Sequence, residues 1–198
     1  MSMNKKIKVS HAVIVLILAI AVGYGISANK EETFSHVSST SAVTPFKFTA
    51  SAMKKSLIDS GYEVRNERLE TLDAYVGIYQ QDKLEVRFDI YHTRDNDQID
   101  WVEVLVDASG YIDLNNLDAP TNPKVVEATT KAAAEVFKFP FFSKDSEEFK
   151  TLTAWVDSNA SKPTKKGKLI ETKIGDLYFT MYGQPYMRFL EITTKRKE

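Results

Sequence analysis

One histidine of the chain lies among acidic residues at a spacing that could support acid–base chemistry. His92 follows Asp89 by three positions and precedes Asp95 by three. A histidine oriented by a carboxylate can act as a general base, so an envelope hydrolase using the carboxylates near His92 is one functional hypothesis. His11 lies in an apolar run and His36 in a polar segment, so His92 is the one histidine of the predicted domain. The simpler interpretation is that it is a solvated residue at the mouth of a hairpin. No catalytic residue is therefore assigned.

The turn that follows invites a calcium interpretation, which its spacing does not support. An EF-hand loop needs oxygen ligands at positions 1, 3 and 5, Gly at 6 and Glu at 12. Counted from Asp95, position 5 is Ile99 and position 6 is Asp100. Hairpin turns take Asp and Asn for backbone reasons. Cysteine is absent, which excludes thiol chemistry and disulfides. We predict neither a metal nor a cofactor.

Aromatic residues in extended segments indicate recognition rather than catalysis. Seven of them exceed what a sheet covered on one side needs: Tyr75, Tyr79, Tyr91, Trp101, Tyr178, Tyr182 and Tyr186. Several must then point away from the helices and form an amphipathic face. Because Tyr, Trp and Arg dominate interface energetics, the predicted ligand- or partner-binding anchors are Arg87, Tyr91, Trp101 and Arg188. Replacing Arg87 and Tyr91 with Ala is expected to weaken binding with little loss of stability.

The strand that positions two of these anchors has the clearest pattern in the chain. Apolar residues alternate with polar ones from Leu84 to Tyr91. This period of two predicts a strand with one buried face, formed by Val86, Phe88 and Ile90. Arg87 and Tyr91 then lie on the opposite face.

The other elements predict an α+β fold. Thr49 or Ser51 can cap a helix that Gly61 ends, a second helix runs from about 123 to 138, and Asp145 or Ser146 caps a third. Extended segments separated by turn residues complete an antiparallel sheet of about seven strands.

An internal echo predicts a duplicated α-β-β-β unit. Residues 73–79 align without gaps on residues 176–182, and an Arg-Phe pair follows each block. The half-repeats would be 46–92 and 145–194, with the helices on a single face and Arg188 in the place of Arg87. The alternative is that two Tyr-rich strands before a turn merely look alike.

The cellular location is predicted from an apolar run, Ala12–Val22, which follows Lys5, Lys6 and Lys8. This layout is typical of an export signal, so residues 1–28 are predicted to be a signal peptide or signal anchor. If uncleaved, residues 9–28 are just long enough to span the membrane. A Ser/Thr-rich segment, 29–45, is predicted to be a flexible tether to a single extracytoplasmic domain, 46–198. The protein is expected to be membrane-anchored facing outside, or secreted or periplasmic after cleavage.

Charge narrows the class of partner. Three of the 26 basic residues precede residue 29, so 23 basic residues face 27 acidic ones beyond it, a net charge of −4. Nucleic-acid binders cluster Lys and Arg, so nucleic acid is not an expected partner. The functional prediction is a non-enzymatic cell-envelope domain that binds an envelope protein or surface ligand.

Overall fold

The computed structural model describes residues 46–112, 121–162, 164 and 168–196. All of them belong to one compact unit. The predicted signal segment, the membrane span at 9–28 and the tether at 29–45 lie outside the described residues. Within the described ranges, no helix has the length and apolar character needed to cross a membrane.

Three helices form where the sequence places their caps. Helix α1 is Ala50–Asp59, α2 is Pro123–Val136 and α3 is Glu147–Asn159. The side chains of Thr49, Asn122 and Ser146 each accept a hydrogen bond from a backbone N–H in the first turn. These caps satisfy donors that the helix itself leaves unpaired. Gly61 follows α1 with φ +85°, a left-handed conformation that favours glycine.

Seven strands form one antiparallel sheet. They are β1 Glu63–Arg68, β2 Asp73–Gln81, β3 Leu84–His92, β4 Ile99–Asp107, β5 Ile170–Ile174, β6 Leu177–Gln184 and β7 Met187–Thr193. Their order across the sheet is β1-β2-β3-β4-β7-β6-β5. After β4 the chain passes through α2 and α3 to the far edge and returns, so β7 pairs with β4. The predicted α+β class and antiparallel sheet of seven strands with three helices are confirmed.

All three helices pack on one side of the sheet, which we call the helix face. Leu57 of α1 contacts Gly77 of β2, α2 contacts β4 and β7, and Trp155 of α3 packs on Phe179 of β6. Side chains alternate between faces and paired residues share a face, so the register assigns the strand residues to a face, apart from Asp100, where the pairing of β3 with β4 is interrupted. Many apolar helix-face residues are fully buried, among them Val86, Phe88, Ile90, Val102, Val104, Val106, Leu177, Phe179, Met181, Leu190 and Ile192. The predicted orientation of β3 is confirmed.

The two halves of the sheet are mirror-related in topology, which does not support the duplicated unit. Strands β3 and β7 both run antiparallel to β4, on opposite sides of it. A rotation can superpose β1-β2-β3 on β5-β6-β7 only by turning the sheet over, which would put the helices on opposite faces. Accordingly, Tyr75 lies on the helix face while its aligned partner Tyr178 lies on the other. The alignment of residues 73–79 with residues 176–182 therefore matches residues that lie in different environments.

Candidate binding surface

The side of the sheet opposite the helices, which we call the open face, holds three of the four predicted anchors. Arg87, Tyr91 and Trp101 lie there, each half-buried. Its central residues on β3, β4, β7 and β6 are Arg87, Asp89, Tyr91, Trp101, Glu103, Leu105, Phe189, Glu191, Thr193, Tyr178, Thr180 and Tyr182. Among the described residues, none of the helices packs on this face, so these side chains form a continuous, partly exposed surface.

Two aromatic stacks stand on the open face. Tyr91 and Trp101 are opposite each other on β3 and β4, with ring centroids 4.0 Å apart and planes 20° apart. Tyr182 and Phe189 are opposite on β6 and β7, with centroids 4.8 Å apart and planes 5° apart. Cross-strand aromatic pairs stabilise a sheet and hold each other's rings in place. The open face therefore carries two ordered pairs of stacked aromatic rings.

A row of three carboxylates crosses the sheet between these stacks. Asp89, Glu103 and Glu191 are consecutive neighbours across β3, β4 and β7. Asp89 and Glu191 are only 5% and 6% exposed, although they lie on the open face. Their exposure is low because each acidic residue has a large side chain two positions away on its own strand, and these larger side chains extend above the carboxylates. We call this feature the acidic row.

The pKa values of the tyrosines in the two stacks are raised, chiefly by burial and in addition by the acidic row. Burial, together with the charges of Asp89 and Glu103, raises the pKa of Tyr91. Burial, together with the charges of Glu103 and Glu191, raises the pKa of Tyr182 to about 12. Carboxylates close to a phenol oppose its ionisation. Both phenols therefore stay neutral at physiological pH and remain hydrogen-bond donors.

Arg87 neutralises one end of the acidic row. Its Nε donates to both carboxylate oxygens of Asp89, at 2.8 and 2.9 Å. The hydrogen bond to Asp89 raises the pKa of Arg87. Its side chain is one-third exposed while that of Asp89 is 8% exposed. The guanidinium thus covers a buried carboxylate and still reaches solvent.

A groove of about 500 Å³ opens beside the Tyr91–Trp101 stack. Its lining includes Glu103 and Glu191 of the acidic row. Residues from Thr193 to Arg196 also line it. Lys195 and Arg196 add two positive charges to this lining, and Arg196 Nη2 lies 3.4 Å from Oε2 of Glu171, an open-face residue of β5. The groove therefore joins an aromatic wall to two carboxylates.

The open face concentrates the negative charge of the protein. Its strand residues include eight acidic side chains, Glu63, Glu67, Glu85, Asp89, Glu103, Asp107, Glu171 and Glu191, and three basic ones, Arg65, Arg87 and Lys173. The net charge of these residues is −5, whereas the whole chain carries −1. The two faces of the sheet therefore differ strongly in electrostatic character.

The structure does not bring together the residues of the hydrolase hypothesis. His92 lies on the helix face, 5% exposed, with its ring stacked on Tyr75 at 4.4 Å. Asp89 points to the open face and is engaged by Arg87. The carboxylate nearest His92 is that of Asp97, with Oδ1 3.9 Å from Nδ1.

The acidic turn after His92 has a structural role. The Asp97 carbonyl accepts from the N–H of Ala50, and its carboxylate accepts from the N–H of Ser51, both at 3.0 Å. An acidic side chain at a helix N-terminus is stabilising. The Asp- and Asn-rich segment thus anchors the start of α1. Among the described residues, no group of three or more His, Asp or Glu side chains is arranged to hold a metal ion.

Arg188 does not share the face of Arg87. It lies on the helix face, 1% exposed, and its Nη1 donates to the Lys162 carbonyl at 3.0 Å. Its Nε has no hydrogen-bond partner in the described part of the chain. Burial lowers the pKa of Arg188. The expected pairing of the two arginines on one surface is therefore not met, and Arg188 is not an anchor of the open face.

Three contributors to the surface were not predicted from the sequence, Glu103, Phe189 and Glu191, and Tyr182 was counted among the surplus aromatic residues without being named as an anchor. Glu103 shares the period-two face of Trp101 on β4, which was a usable signal. No local signal places β7 beside β4. The two glutamates become neighbours only through this long-range pairing.

Comparison with protein-family models, with curated proteins and with solved structures finds no match for this chain.

Proposed function

We propose that the protein is a non-enzymatic binding domain displayed at the outer side of the cytoplasmic membrane, with the open face as its recognition surface. The proposed location is supported by the apolar run 12–22, the lysines before it and the Ser/Thr-rich segment 29–45. The open face supports the binding function.

The observation that carries the proposal is the exposed aromatic and charged surface on the side of the sheet away from the helices. Tyr91, Trp101 and Arg87 are half-buried there without helical cover in the described residues. Such residues supply much of the energy of protein interfaces. Tyr91 and Trp101 are the proposed anchors, and Arg87 supplies a rim charge.

Two measurements test the address and the surface separately. Fractionation of the organism that makes the protein should place it in the membrane or outside the cell. Photo-cross-linking from p-benzoylphenylalanine at Thr180, on the open face beside Glu191, should capture a partner in intact cells. The matched control is the same probe at Ile58, which is 50% exposed on α1.

The variant Trp101→Leu should reduce the yield of the Thr180 cross-link, since it removes the indole but keeps an apolar side chain. Recovery of the chain as a cytoplasmic protein would overturn the address. Equal cross-linking from Thr180 and Ile58, insensitive to Trp101→Leu, would show that the open face is not the recognition surface.

A further inference from the structure

The chemistry of the open face specifies the class of its ligand. We propose that this face binds a basic segment of a protein partner, whose Arg or Lys side chains lie on the acidic row and against the Tyr91–Trp101 stack. The inference rests on the proposed binding function and names the partner's chemistry.

Charge complementarity selects the occupant. A face with eight acidic and three basic strand residues repels a second copy of itself brought face to face. It equally repels anionic lipid headgroups and nucleic acid. A positively charged protein segment is attracted, and its arrival is accelerated by the same field.

The acidic row places two glutamates directly opposite each other on β4 and β7. Like charges directly opposite each other on neighbouring strands destabilise a sheet, and Glu103 and Glu191 form such a pair, whereas Arg87 neutralises Asp89. Partial burial strengthens the mutual repulsion of the two glutamates. Neither glutamate lacks polar neighbours within the protein, so an incoming cation shares existing interactions.

The aromatic stack beside the row suits the same ligand. Guanidinium and ammonium groups are attracted to the faces of Trp and Tyr rings as well as to carboxylates. Trp101 and Glu103 are two positions apart on β4 and therefore point to the same side. One Arg side chain can stack on the indole while its nitrogens reach the carboxylate. This combination distinguishes a basic peptide from an inorganic cation.

The dimensions fit an extended segment. Neighbouring strands are about 4.8 Å apart, so the acidic row extends about 10 Å from Asp89 to Glu191. Alternate side chains of an extended chain are about 7 Å apart on one side. Two alternate Arg side chains can therefore cover the row. The groove continues toward Lys195 and Arg196, whose charges oppose a basic ligand at that end.

Fluorescence anisotropy with the full-length chain in a neutral detergent tests the inference. The probe is a labelled eight-residue peptide of alternating Arg and Thr, and the control peptide alternates Glu and Thr. We expect only the basic peptide to bind, with an affinity that falls as salt is raised.

Matched variants separate this surface from net charge. The double variant Glu103→Gln with Glu191→Gln should bind the basic peptide about tenfold more weakly, a change of about 1.4 kcal/mol. Glu127→Gln with Glu147→Gln changes net charge equally, on exposed helix positions, and should alter affinity less than about twofold. Circular dichroism should confirm that both double variants are folded.

Two further variants test the aromatic and cationic edges of the site. Trp101→Leu should weaken peptide binding about threefold or more, since the indole face is lost. Lys195→Ser with Arg196→Ser should strengthen it about threefold, because repulsion at the groove end is removed. Lys131→Ser with Lys150→Ser, at exposed helix positions, should change it less than about twofold.

Equal effects of the sheet and helix double variants, or equal binding of the acidic peptide, would overturn the inference. Absence of peptide binding while the Thr180 cross-link persists would overturn the basic ligand class alone. Loss of the dependence of that cross-link on Trp101 would instead overturn the proposed function.

Discussion

Arg87 and Arg188 show at the residue scale how surroundings decide what one side chain does. Arg87 is part of a surface and covers the buried carboxylate of Asp89. Arg188 is enclosed beneath the helices and donates to a backbone carbonyl. The sequence assigned both to one binding face. The structure assigns them different energetic roles, which leads to opposite predictions for their removal.

Arg87→Ala should destabilise the protein by about 1–3 kcal/mol, because a buried carboxylate loses its charged partner. This replaces the expectation from sequence that Arg87 can be removed with little loss of stability. Adding Asp89→Asn should recover part of the loss, since the uncompensated charge is then gone. Urea denaturation at pH 7 of the two variants and the parent measures both effects. An unchanged unfolding free energy for Arg87→Ala would mean that water satisfies Asp89.

Arg188→Met should leave stability unchanged or raise it by up to about 2 kcal/mol. Replacing a buried charge with an apolar side chain of similar volume removes a desolvation cost. Arg188→Ala is the control, since it removes the same charge but leaves a cavity and should be destabilising. Thermal melts of the three proteins give the order. A loss above about 2 kcal/mol for Arg188→Met would show that the bond to the Lys162 carbonyl outweighs the desolvation cost.

At the element scale, the β6–β7 hairpin depends on one glycine. Gly183 has φ +128°, and a Cβ there would lie 2.2 Å from the Met187 carbonyl oxygen. The hydroxyl of Thr164 donates to the Gly183 carbonyl at 2.6 Å and accepts from its N–H at 2.8 Å. Only glycine allows this close approach of two backbones. The hairpin in turn holds Tyr182 against Phe189, one of the two stacks of the open face.

Gly183→Ala should therefore destabilise the protein by more than about 2 kcal/mol and disturb the Tyr182–Phe189 stack. The control is Gly61→Asn, at φ +85°, where a Cβ would meet no atom within 4 Å, and this change should cost less than about 1 kcal/mol. Chemical denaturation and near-ultraviolet circular dichroism measure the two effects. Similar costs at both glycines would show that the hairpin adjusts to a side chain.

At the scale of the whole molecule, β4 joins the two halves of the sheet. Its residues Val102, Val104 and Val106 are fully buried between β3 and β7 on the helix face. The two halves share this strand and its core contacts. We therefore expect them to unfold together.

Val104→Ala should lower the unfolding free energy by about 2 kcal/mol. Hydrogen exchange should show the same loss of protection in β2 and in β6, because global unfolding governs both. Leu57→Ala, under α1 on the first half only, is the comparison and should likewise affect β6. Loss of protection confined to the neighbours of each substitution would show that the halves unfold separately.

Local sequence patterns were sufficient to predict the helices and strands. Caps at Thr49 and Ser146 and the alternation of β3 depend on residues a few positions apart, so the pattern carries them. The same alternation correctly placed Arg87 and Tyr91 on the side away from the helices. These are the parts of the candidate site that belong to strands with one clearly apolar face.

Strand β7 was different, because its alternation is ambiguous. One set of alternate residues is Met187, Phe189, Glu191 and Thr193, and the other is Arg188, Leu190 and Ile192. Each set contains one charged residue and two large apolar ones, so period two alone cannot decide which faces the core. Pairing with β4, between residues that are 80 to 92 positions apart in the sequence, decides which set faces the core. That pairing buries Arg188 and completes the acidic row, because side-chain environments across a sheet depend on which strands meet.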